Sequence, residues 1–105
     1  MIISKRIKIG SSIASEADKI LRNLEEGTIP RKIMWYAVTT TATTDGLAYI
    51  ISSFEAWKKY YRTEPLRLLG LAGSWKDACE IVKDLFQEGY DQGQIFSMKS
   101  FLGDY

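Results

Sequence analysis

The stretch from Leu66 to Glu88 constrains the fold more than any other part of the chain. An apolar run of Leu66, Leu68, Leu69 and Leu71 passes through Gly70-Leu71-Ala72-Gly73-Ser74 straight into a strongly amphipathic helical pattern. Trp75, Ala78, Ile81, Val82, Leu85 and Phe86 recur at helical spacing and read as a buried stripe. Lys76, Asp77, Glu80, Lys83, Asp84 and Gln87 fall on the side facing water. A buried strand feeding a surface helix through a tight turn is the unit from which sheet-and-helix domains are built. Ser74 and Asp77 have capping-box spacing, with Asp in place of the longer Glu, and Gly89 and Gly93 are the expected end of the helix.

The rest of the chain supplies partners for this unit. In residues 2–9, Ile3, Ile7 and Ile9 alternate with Ser4, Arg6 and Lys8, and Lys5 interrupts the apolar side; this predicts a half-buried strand, suited to a sheet edge. After Gly10, Ser11 or Ser12 is the expected cap of a helix carrying Ile13, Ala17, Ile20, Leu21 and Leu24 on one face, stopped by Gly27 and Pro30. Ile33 to Thr41 reads as a strand, Thr43-Thr44-Asp45-Gly46 as a turn, and Leu47 to Ile51 as the returning strand of a hairpin. Ser52 or Ser53 then caps a short helix through Tyr61, with Phe54, Trp57, Tyr60 and Tyr61 on one face; continued strand is the competing reading. Gln94 to Leu102 has the pattern of a final strand. The resulting order is β-α-β-β-α-β-α-β. It predicts an α+β fold in which helices pack on one small antiparallel or mixed sheet, and its first six elements match the ferredoxin-like pattern.

At 105 residues the chain is expected to form a single domain over 1–105, large enough for a core without metal or disulfide staples. Its 46% hydrophobic and 26% charged residues suit a folded globular protein, not a disordered one. The longest apolar runs are far too short to span a membrane, so no membrane partner is expected. One cysteine, Cys79, cannot form an internal disulfide, which favours a reducing, cytoplasmic location. Net charge is +1, yet residues 1–73 carry 11 basic and 7 acidic side chains, whereas residues 74–105 carry 3 and 6. That asymmetry is compatible with self-association or a charged partner, although two independently solvated faces are the simpler reading.

Candidate sites follow from residue chemistry. The turn at Gly70–Ser74 opens a helix whose free N–H groups could take an anion at Gly73, Ser74 and Lys76. Its spacing fits neither the dinucleotide fingerprint nor the phosphate-loop motif, Asp77 competes for the same donors, and ordinary capping explains the residues. The threonines Thr39, Thr40, Thr41, Thr43 and Thr44, with Asp45, could hold a ligand on the hairpin but are also good strand residues. Binding of single-stranded nucleic acid would place Lys5, Arg6, Lys8, Arg31 and Lys32 around Trp35, Tyr36 and Tyr49, but the ribonucleoprotein signature is absent, net charge is small, and core packing is the better use of those rings.

Enzymatic readings are weak. The chain has no histidine, the commonest general base and metal ligand, and a lone cysteine lacks its usual activating partner. No metal site and no cofactor are therefore expected. Three tryptophans and six tyrosines exceed what a core of this size readily hides, and surplus aromatics mark interfaces. The expectation is a small binding or regulatory domain acting through protein–protein contacts, self-association included. Trp35, Tyr36, Tyr60, Tyr61 and Tyr90 are its interface candidates.

Overall fold

A computed structural model of the chain describes residues 2–27, 34–41, 48–56 and 66–91. These form, in order, strand β1 (Ile2–Ile9), a 3-10 turn (Ser11–Ile13), helix α1 (Ala17–Glu25), strand β2 (Tyr36–Thr41), strand β3 (Tyr49–Ser52), the short helix α2 (Ser53–Ala56), strand β4 (Leu66–Ala72) and helix α3 (Trp75–Asp91). The four strands make one mixed sheet in the order β1-β4-β2-β3. The β2–β3 hairpin is antiparallel as expected, β2 pairs antiparallel with β4, and β1 pairs parallel with β4.

The ferredoxin-like arrangement is not what these strands form. That pattern is antiparallel throughout with its helices on one face, whereas here β1 and β4 run side by side in the same direction and the two long helices cover opposite faces. The physical reason lies at the shared end of β1 and β4. Both strands there turn into helical segments, and the Gly10 N–H donates to the Leu71 carbonyl at 2.8 Å, tying the two exits together. Under α1, the residues Ile13, Ala17, Ile20 and Leu24 pack on Trp35, Ala37, Ile51, Leu68 and Leu71. Under α3, Ala78, Ile81 and Leu85 pack on Val38, Leu69 and Ala72.

One short run, Leu68 to Ala72, serves both cores, as alternation in any strand allows, and a bulge sets which residues go to which face. Val38 pairs with Gly70 and Thr39 with Leu68, so Leu69 is an extra residue opposite β2. Leu68 and Leu71 therefore face α1, while Leu69 and Ala72 face α3. At the same level β1 also carries more residues than β4, between Ile3↔Leu68 and Lys8↔Gly70. Within that irregularity the buried Ser4 hydroxyl accepts the Arg6 N–H at 3.1 Å. Lys5, which interrupts the apolar side in the sequence, is thereby left in solvent.

Element boundaries shift where side chains have other work. α1 begins at Ala17 after the separate 3-10 turn at Ser11–Ile13, so neither Ser11 nor Ser12 caps it; its N-cap position is Glu16, which makes no side-chain cap, and Ser12 bonds Asp77 instead. Gly27, at φ 81°, ends it as expected. α3 runs through Gly89, which is buried within the helix and does not terminate it. Helix is correct for Ser53–Ala56; the remainder of the expected helix to Tyr61, the turn at Thr43–Gly46 and the final strand at 94–102 lie outside the described residues.

Gly70 sets how near α3 comes to the sheet. A Cβ built there would sit 2.6 Å from the Ile81 Cγ2 atom, inside any tolerable contact. Gly70→Ala is expected to destabilise the fold by about 1–3 kcal/mol through overpacking. Combining it with Ile81→Leu, which removes Cγ2 at constant volume, should recover part of that loss. Urea denaturation of the two single variants and the double variant measures the coupling, and strict additivity would refute the contact.

Candidate functional site

The start of α3 is fastened to the end of β1 by a polar clasp. The Gly73 N–H donates to Ser12 Oγ at 2.9 Å, and the Ser12 hydroxyl in turn donates to Asp77 Oδ2. The Ser12 N–H donates to the same carboxylate oxygen at 3.2 Å. Ser74 caps the helix, its Oγ accepting the Asp77 N–H at 3.1 Å. Asp77 therefore does not close a capping box back onto Ser74; its carboxylate reaches across to Ser12. Glycine is required on both sides of the clasp: a Cβ on Gly73 would lie 2.7 Å from the Ser12 carbonyl oxygen, and one on Gly10 would run into the Asp77 carboxylate.

This bears directly on the anion candidates Gly73, Ser74 and Lys76. The Gly73 N–H is already committed to Ser12, the Ser74 hydroxyl is the helix cap, and a carboxylate of the chain itself lies beside the turn. Lys76 is exposed to solvent. The threonine candidates are likewise occupied. Thr39 and Thr40 are buried, and Thr39 Oγ1 donates to the Tyr49 carbonyl at 3.1 Å. Thr43, Thr44 and Asp45 lie outside the described residues.

The basic candidates divide. Lys5 and Arg6 are exposed, Lys8 is half-buried, and Arg31 and Lys32 lie outside the described residues. Arg6 and Lys8 both reach across to Glu88 of α3, Lys8 at 2.9 Å. Trp35 belongs to the opposite, α1-facing core with no exposed surface. Its backbone is held by Ser53, whose N–H donates to the Trp35 carbonyl at 2.8 Å and whose Oγ accepts the Trp35 N–H at 3.3 Å. Trp35 is therefore corrected from an interface or stacking residue to a core residue.

What the structure does bring together is a different set, centred on Trp75. Between β3 and the first turns of α3 runs an open, mainly apolar groove of about 330 Å³, lined by Ala48, Tyr49, Ile50, Trp75, Cys79 and Val82. Trp75, expected in the buried stripe, is 58% exposed, and Tyr49 is 41% exposed. The reason is geometric. Tyr36↔Ala72 is the last pair of the β2–β4 ladder, so the first turn of α3 overhangs the end of the sheet. The half-buried Tyr36 ring meets the indole there, edge to face at 6.2 Å and 76°. Cys79 is an exposed free thiol on the groove wall, not a packed helix residue.

Of the interface candidates, Tyr36 thus supports the groove from below, and Tyr90 is exposed further along α3. Tyr60 and Tyr61 lie outside the described residues. Trp75 and Cys79 were missed as groove residues. The available signal was the width of the apolar arc on α3: beside the buried Ala78, Ile81, Leu85 and Gly89, a second row of Trp75, Cys79, Val82, Phe86 and Tyr90 follows helical spacing. These residues are exposed or half-buried.

Among the described residues there is no group of three or more His, Cys, Asp or Glu placed to hold a metal ion, and no helix is long and apolar enough to cross a membrane. Comparisons with protein-family models, with curated proteins and with solved structures find no match. Geometry alone therefore carries the functional argument.

The clasp makes its own prediction. Asp77→Ala should cost about 1 kcal/mol, the net worth of hydrogen bonds at an exposed junction where water can take over as acceptor for the Ser12 N–H and hydroxyl. Asp77→Asn, which keeps one acceptor oxygen, should cost less. Ser12→Ala combined with Asp77→Ala should lose less than the sum of the two single changes in thermal or urea denaturation.

Proposed function

We propose that this chain is a small intracellular binding domain, without catalytic activity, that recognises another protein by seating an apolar segment in the groove between β3 and α3. The observation that carries this reading is Trp75, more than half exposed at the mouth of an apolar groove and held by Tyr36 at its edge. Leaving an indole in water forgoes a large apolar gain, and exposed Trp and Tyr around an apolar patch are the usual anchors of protein interfaces. The groove wall offers aliphatic and indole surface with a single thiol, a lining suited to shape recognition and poorly equipped for acid–base chemistry. A second copy of the chain is one candidate occupant.

The test uses the native thiol as a reporter. Peptides selected from a random display library against the full chain should slow alkylation of Cys79 several-fold and shift the tryptophan emission to the blue. Trp75→Ala should weaken them by about 2 kcal/mol or more, as for an interface anchor, with little change in folding stability because the side chain is largely exposed. Peptides that bind while leaving Cys79 reactivity unchanged would place recognition elsewhere and defeat the proposal.

A further inference from the structure

We draw no further inference here: the strongest candidate, the open apolar groove between β3 and the first turns of α3, belongs to the site already described, and nothing in the structure shows what covers it.

Discussion

The close approach of α3 to β4 at Gly70 is the contact on which the rest of the structure depends. With no Cβ in the way, Ile81 settles directly on the central strand, and the helix lies low enough for Leu85 and Ala78 to be buried beside it. The same approach brings the start of the helix within reach of the β1 exit, where Asp77 can bond Ser12 and Ser12 can take the Gly73 N–H. A helix held at two points, one apolar at Gly70 and one polar at the clasp, has little freedom to rotate about its axis. That restraint decides which residues it presents. Ala78, Ile81 and Leu85 go down, Asp77 and Glu88 go toward β1, and Trp75, Cys79 and Val82 are left over the edge of β3.

Much of the fold was legible because period and burial agree in most segments. The β-branched run ending at Thr41, the hairpin return at Ile50 and Ile51, and the helical spacing of Ile20, Leu24, Ala78, Ile81 and Leu85 name their elements, whereas the alternation in residues 2–9 names a strand but not its buried face: across the irregularity in β1, Ser4 is buried and Ile9 is exposed. Strand order was not legible. Whether β1 sits beside β4 or in the middle of an antiparallel sheet is decided by contacts between distant segments, such as Gly10 with Leu71, that leave no trace in local periodicity. The bulge at Leu69 was hidden for a related reason. A continuous apolar run can feed one face, or two in alternation, or two out of step, and only pairing with Val38 and Thr39 selects the last.

The candidate site was less legible than the fold, and the residues show why. Trp35 and Trp75 look alike in sequence, each a tryptophan beside the start of an element. Trp35 is drawn in because Ser53 pins its backbone over the α1 core, whereas Trp75 is left out because the ladder beneath it has ended. Periodicity assigns a side to each residue of α3 but cannot tell how far the sheet extends under that side. An arc of apolar residues wider than the sheet can cover is a sign of a second surface, and the row from Trp75 to Tyr90 is of this kind.

Charge counted along the chain is a poorer guide than charge counted after pairing. Residues 74–105 are acidic in sum, which on its face suggests a basic partner for that half of the protein. Folding changes which of these charges are on offer. Glu88 is paired with Arg6 and Lys8, and Asp77 is hydrogen-bonded by Ser12 while remaining an anion. On the outward flank of α3 the cations Lys76 and Lys83 are exposed beside the acids Glu80 and Asp84. With cations and anions interleaved there, the net field beyond roughly a Debye length of 8–10 Å is small. Such a rim cannot draw a partner from afar or bind one by charge alone. What that flank borders is the apolar wall of Trp75, Cys79 and Val82, whose contribution to a contact is the surface it removes from water and not charge.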